Sequence, residues 1–229
     1  MRLRSAPAKV RDVVRQRAHR ATRTAVHQSF FRDLIQKTDN FGHITWLGQP
    51  IWQNVLDLWV LQEAIAEIKP AVLLEAGTNR GGSALFYAHL FDLMGKGRVV
   101  TVDVEKMHDL EHPRIDFLVG SSVGDEVSAA MRKAAAEADG PVMVVLDSDH
   151  SESHVAAELE VYAPLVTPGS LILVQDGVVD TLPAFAWGRP GPLPAIEKFL
   201  ARNPSFHVDP QLDQRFLISH HPSGWLRRK

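Results

Sequence analysis

Residues 72–83 read V-L-L-E-A-G-T-N-R-G-G-S, from Val72 to Ser83. An apolar run ends in a carboxylate, three glycines follow, and Leu85, Leu90, Leu93 and Met94 then keep helical spacing. This is the pattern of a buried parallel strand turning into a helix over a ligand. Glycine suits such a turn because it accepts positive φ and lets the backbone approach a ligand closely. A dinucleotide fingerprint would need a second glycine where Asn79 stands. A P-loop with the spacing of Gly77 to Gly82 would need a lysine where Ser83 stands. What remains is an acid two residues before the first glycine, E-x-G-x-x-x-G. The alternative is an ordinary strand-to-helix turn with incidental glycines.

That arrangement resembles the first motif of class I S-adenosylmethionine-dependent methyltransferases. The resemblance implies that Glu75, Gly77, Thr78, Asn79, Gly81, Gly82 and Ser83 cradle the amino-acid end and ribose of a ligand without phosphate. Outward from this turn, strands and helices alternate. Arg98 to Asp103 is a β-branched run ending in a carboxylate, and in a doubly wound sheet an acid ending the second strand is placed to accept both ribose hydroxyls. Ile115 to Val119 runs into Gly120-Ser121-Ser122, a small-residue turn fit to pass beneath an adenine. Asp125 and Glu126 suit the positive end of the helix that follows. Pro141 to Leu146 delivers Asp147, and L-I-L-V at 171–174 delivers Gln175 and Asp176.

The expected fold is therefore α/β: a Rossmann-like, doubly wound, mainly parallel sheet of about seven strands with helices on both faces. Residues 38–54, with two tryptophans, two glycines and a proline, read as a loop, and Asn54 or Asp57 as the opening of the next helix. The tryptophans suit core anchors or the wall of a substrate cleft. Residues 181–192, containing W-G-R-P-G-P, read as an irregular lid or substrate loop. Phe206 to Asp209 and Arg215 to Ser219 read as antiparallel strands at the sheet edge.

The 229 residues suit one domain, 38–229, preceded by a basic helical extension over 1–37. Residues 1–32 carry nine basic residues against one acid, a charge of +8, while the remainder carries −10. Such an arm suits nucleic acid, anionic lipid or an acidic protein surface, and it imitates a transit peptide. Its apolar stripe is too small for membrane docking. Assembly of a homo-oligomer is the expected use, and nucleic acid is not the expected partner. With no cysteine, disulfide scaffolds and thiolate chemistry are excluded. No apolar run approaches the roughly 20 residues of a membrane span, and no signal-peptide core precedes the domain. A cytoplasmic protein is expected.

The chemistry gathers at the strand ends. Asp147, Asp149 and Asp176, with Gln175, offer carboxylates and an amide oxygen, a hard donor set suited to Mg2+ or Mn2+. Asp147 and Asp176 are the metal candidates, whereas Asp149 is the stronger candidate for a helix cap. His150, three residues after Asp147, is the candidate base, with a helix-start hydrogen bond as its other role. His154, one turn on, supports the site from behind.

At this point the resemblance narrows. The stretches I-T-W-L-G-Q-P-I-W-Q-N, E-A-G-T-N-R-G-G-S, L-D-S-D-H-S, Y-A-P-L-V-T-P-G-S, G-R-P-G-P-L-P and P-S-G-W-L-R-R, in this order over roughly 40–229, are similar to the cephalosporin hydroxylase family, which includes rhamnosyl O-methyltransferases. The resemblance implies an S-adenosylmethionine fold, a Mg2+ site and often a homo-oligomer. It implies metal acids at Asp147 and at a pair after the fifth strand, here Gln175-Asp176, and a catalytic histidine at His150. Gln175 departs from the family's acid and brings no charge. The expectation is a divalent-metal-assisted O-methyltransferase acting on a small-molecule acceptor, a sugar or glycosylated natural product. Two alternatives stand beside it. One is an iron-dependent hydroxylase using His207, Asp209 and His220 or His221. The other is a non-catalytic methyltransferase fold that binds partners through its arm.

Overall fold

The computed structural model describes residues 25–26, 28–33 and 41–229. The chain divides into two units, 1–40 and 41–229. Of the first, the described residues are helical, with the Phe30 ring edge-on to Phe31. The expected boundary at residue 37 and most of the basic arm lie outside the described residues.

The second unit is built on a seven-stranded sheet. Its strands are β3 (Val72–Ala76), β4 (Arg98–Asp103), β5 (Ile115–Val119), β6 (Val142–Leu146), β7 (Leu171–Val174), β8 (Phe206–Val208) and β9 (Trp225–Arg228), in the order β5-β4-β3-β6-β7-β9-β8. The first five pair in parallel, and β9 is antiparallel to both β7 and β8. The chain leaves β3 toward β5 and returns to β6 on the other side of β3. That reversal opens a crevice at the carboxyl ends of β3 and β6, where such sheets bind ligands.

Both faces of the sheet are covered, which is why β3, β6 and β7 read as continuous apolar runs. Alternation sends Val72, Leu74 and Ala76 to one core, which includes residues of α3 (Asp125–Ala136), α4 (Glu152–Tyr162) and α6 (Pro192–Arg202). Leu73 goes to the other core, with residues of α1 (Val55–Ile68) and α2 (Gly82–Met94). Asn54 caps α1 by accepting from the Leu56 amide at 3.1 Å, so Asp57 is released for another use. Gly95, at φ +72°, ends α2 in the left-handed conformation. Among the described residues no helix is long and apolar enough to cross a membrane.

Three local expectations are corrected. The expected loop at 38–54 contains a hairpin, β1 (Thr45–Trp46) with β2 (Gln49–Pro50), closed by Leu47 and Gly48 at φ +50° and +88°. Two positive-φ residues make the tight turn whose twist matches a hairpin. Segment 181–192 is not irregular. After the short helix α5 (Val178–Thr181), Pro183–Gly188 forms a 3-10 helix, and Pro192 opens α6, where proline's missing N–H costs nothing. The partner of β8 is β9, not Arg215 to Ser219. Arg215 is drawn to Glu63 on α1 by a two-pronged ion pair at 2.8 and 2.9 Å, and the next short helix, α7 (Pro210–Asp213), takes the preceding residues out of the sheet plane. Fully buried Trp225 and Leu226 instead fill the sheet position.

Candidate active site

The turn after β3 is the floor of the cleft. Gly77 has φ +101°, and a Cβ on it would lie 2.0 Å from the Asp147 carbonyl oxygen. Gly82 is set just as closely against the Pro50 carbonyl, at 2.2 Å from where its Cβ would be. These two glycines therefore let one backbone approach another.

Two adjoining cavities open above the floor, of about 270 and 510 Å3, and both are lined by Gly77, Asn79 and Asp147. The smaller also takes in Thr78, Gly82, Ser83, His150 and Asp176, under Trp52, which is 56% exposed. The larger takes in Asp103, Gly120, Ser121, Ser122 and His154. Trp46 stays out of the smaller cavity and donates to His89 Nδ1 at 3.0 Å. Of the residues expected around the cofactor, Gly81 faces Leu110 and lines neither cavity, and Glu75 lies fully buried beneath the turn.

Glu75 belongs to a short chain of hydroxyls. Thr101 on β4 donates to Glu75 Oε2 at 2.6 Å, which commits its proton and leaves Thr78 to donate to Thr101, also at 2.6 Å. The other oxygen, Oε1, is buried beside Ser83 without a well-formed hydrogen bond. Burial, only partly opposed by Thr101 and Ser83, pushes the carboxyl up to about 7. Asp103 is tied differently, accepting the Asn79 amide on Oδ2 and the Val104 amide on Oδ1, each at 2.7 Å. Asn79 sits at φ +47° to make that contact.

The opposite side of the cleft has little of this internal pairing. Asp147, His150 and Asp176 bring ligand-type atoms within 4.8 Å of one another. His150 Nε2 is 3.2 Å from Asp176 Oδ2 and 3.9 Å from Asp147 Oδ1. Burial, and then the negative charge of Asp176, push Asp147 well above the usual carboxylate range. Asp176 goes the other way: burial raises it, but His150, His220 and His221 around it hold it low. Two acids with opposed shifts and one imidazole form a site that favours a cation.

Gln175 is buried beside Asp147, within reach of Gln53. In one amide orientation it accepts from Gln53 Nε2 at 2.7 Å; turned over, its nitrogen faces the two Asp147 oxygens at 3.1 and 3.2 Å. Asp149 is not the expected cap of α4, whose N-cap is Ser151; it accepts the Ser151 amide at 2.7 Å in the turn before the helix, and this hydrogen bond holds it low. His154, expected behind the site, lines the larger cavity, 3.0 Å from Ser122 Oγ and 3.3 Å from buried Glu158, whose hydrogen bond raises the imidazole.

The expected iron set does not assemble. Among the described residues neither metal-type cluster contains His207 or Asp209. Asp209 is engaged with Arg227 at 2.7 Å and caps α7, while His207 lies exposed on the terminal strand of the sheet. His220 and His221, expected away from the glycine turn, instead lie buried against Asp176. The turn at Pro222 to Gly224 was the available signal. Gly224 has no room for a Cβ, which would lie 2.0 Å from the Val174 carbonyl, so the chain must fold back onto the end of β7.

The family description that matches this chain is rhamnosyl O-methyltransferase/CmcI, over residues 39–229. The chain belongs to that family. It is 31% identical to a rhamnosyl O-methyltransferase of Mycobacterium leprae over 209 residues, 89% of each chain. Its identity to one from Mycobacterium bovis is 30% over 201 residues, 82% of this chain and 81% of that one. Among solved structures, the Mg-SAM form of CmcI superposes with a TM-score of 0.66 at 18% identity, over 83% of this chain and 78% of that chain. A putative caffeoyl-CoA O-methyltransferase from Staphylococcus aureus gives 0.51 at 14% identity, over 89% and 93%. The fold is thus that of class I methyltransferases.

Proposed function

We propose a sugar hydroxyl, free or on a glycosylated natural product, as the acceptor of this S-adenosylmethionine-dependent O-methyltransferase, and Mg2+ or Mn2+ as its aid. The observation that carries the reading is the meeting of Asp147, His150 and Asp176 in the same cavity as the glycine turn. Rhamnosyl in the relatives' names supports the sugar, and the bound groups of the CmcI structure accord with the cofactors.

The residues fit both groups. The turn carries no lysine for a phosphate, and Asn79, Asp103, Gly120 and Ser121 line the cavity beside it with polar groups and small residues suited to an uncharged ribose and a flat base. Asp103 would hold the ribose hydroxyls, with Gly120 and Ser121 beneath the adenine. Asp147 and Asp176 would hold the cation, with Gln175 supporting Asp147. The bound donor supplies an electrophilic methyl group, and the bound cation supplies charge that lowers a hydroxyl's pKa.

Methyl transfer by direct displacement then asks the chain mainly for alignment. His150 Nε2 takes the hydroxyl proton, and the N–H so formed faces Asp176 Oδ2, 3.2 Å away, whose negative charge stabilises the imidazolium. We place residues 181–192, which follow Asp176 closely, on the acceptor side, and residues 1–37 in an extension used for homo-oligomer assembly.

Calorimetric titration of S-adenosylmethionine, with Mg2+ and then with EDTA, followed by methyl transfer to rhamnosides and their deoxy analogues, tests the reading. Micromolar binding and Mg2+-dependent methylation that fails on one deoxy analogue are expected. Absence of binding in both conditions overturns the enzyme, and transfer indifferent to EDTA overturns the metal.

A further inference from the structure

Asp176 has a backbone that an L-residue seldom adopts, with φ +57°. Its amide N–H donates to His221 Nδ1 at 3.0 Å. The His221 ring is 1% exposed, packed beside Trp225, and its other nitrogen, Nε2, lies 3.8 Å from Asp57 Oδ2. An imidazole that accepts on Nδ1 carries its proton on Nε2, so the Asp176 amide selects that tautomer, and the Asp57 carboxylate faces the N–H beyond hydrogen-bond distance. Asp57 is itself fully buried and accepts the His220 amide at 2.8 Å. The 219–224 turn is pinned from the other side: the Val178 amide donates to the His220 carbonyl, and a Cβ on Gly177 would lie 2.8 Å from the Pro222 carbonyl.

We infer that His221 is a positioning residue for the metal acid Asp176: set by Asp57 of helix α1, which holds the adjoining His220 amide, it holds the Asp176 amide and with it the left-handed backbone that presents the carboxylate to His150 and Asp147. Left-handed backbone at such a residue is strained and persists where surrounding contacts over-determine it. Here those contacts are the Nδ1 acceptor and the folded-back turn. Gln53, one residue before the α1 cap, donates to Asp147 Oδ2 at 2.8 Å. One end of α1 thus braces both acids, Asp147 through Gln53 and Asp176 through Asp57 and His221. The inference rests on the metal reading proposed above.

Two measurements on the full chain test it: calorimetry with Mn2+, alongside S-adenosylhomocysteine in EDTA, and hydrogen exchange of residues 174–178 without metal. His221→Leu removes the acceptor at similar volume, and His221→Asn returns an oxygen where Nδ1 stood. Expected for the leucine variant are Mn2+ affinity about 10- to 100-fold weaker, as for other groups behind a metal ligand, faster exchange at Asp176, and S-adenosylhomocysteine affinity within about twofold. The asparagine variant recovers most of both losses. Where the leucine variant does not fold, Asp57→Asn, which keeps an oxygen for the His220 amide, is expected to weaken Mn2+ in the same direction. Unchanged Mn2+ binding and exchange in His221→Leu overturn the positioning role, as does an asparagine variant as impaired as the leucine one. A parent chain that binds no Mn2+ overturns the metal reading itself and this inference with it.

Discussion

The two sides of the cleft both present carboxylates, yet they treat them in opposite ways. On the glycine-turn side, Asp103 has both oxygens occupied by backbone amides, and Glu75 shares one oxygen with a chain of threonine hydroxyls. On the β6 and β7 side, Asp147 and Asp176 face a histidine and each other, with glutamine amides to soften only Asp147. Hydrogen-bonded acids suit a neutral or weakly cationic ligand that exchanges one set of donors for another. Acids crowded together without such pairing suit a compact divalent charge. On the proposed reading, one sheet thus builds a site for an organic cofactor beside a site for a cation, using the same residue type.

The contrast is broken most severely at Asp176. Asp176→Ala is expected to lower methyl transfer by about a thousandfold, within the range for lost acid–base and electrostatic help, while S-adenosylhomocysteine binds as before. Equal loss of both would merge the two sides into one site.

The next effect concerns stability and sharpens the Glu75 half. Burial raises this carboxyl to about 7 from an ordinary 4.5, so between those values the folded chain holds a proton that the unfolded chain releases. Its contribution is therefore intact below pH 4.5 and lost as pH rises through about 7, by at most about 3 kcal/mol. Glu75→Gln removes this dependence: urea unfolding of the ligand-free variant at pH 5 and pH 8 should differ less than in the parent. An unchanged difference would place the proton elsewhere. The smallest effect is expected at Asp103. Asp103→Ala should weaken S-adenosylhomocysteine by about 10- to 100-fold, the loss of hydrogen bonds to a charged group, with Mn2+ affinity unmoved.

Much of this molecule was legible because its parallel strands are short apolar runs that end in the residues of interest. Val72 to Ala76, Arg98 to Asp103, Ile115 to Val119 and Val142 to Leu146 lie where periodicity puts them, and each hands its next polar residue to the cleft. The hairpin at 45–50 was not legible, since two-residue strands carry no periodicity. Trp225 to Arg228 was not read as a strand because that role depends on a glycine contact with β7 that no local pattern announces. Gln53 and Asp57 were missed for a related reason: one looks like loop and the other like a helix start, and only folding brings Gln53 to Asp147 and Asp57 to the His220 amide, each more than ninety residues away. The glycines were recognised, but the ligand approach assigned to Gly77 and Gly82 is first an approach between backbones.

The 2.0 Å at which a Cβ on Gly77 would meet the Asp147 carbonyl also bears on how this cleft can diverge. The glycine turn and Asp147 are in backbone contact, so on the proposed reading the span from cofactor floor to metal acid is a fixed gauge that side-chain changes cannot stretch. A descendant enzyme, or an engineered one, can alter which acceptor reaches His150 only by reshaping the walls, around Trp52 or along 181–192. New substrates would then arrive as new covers fitted over an unaltered jig.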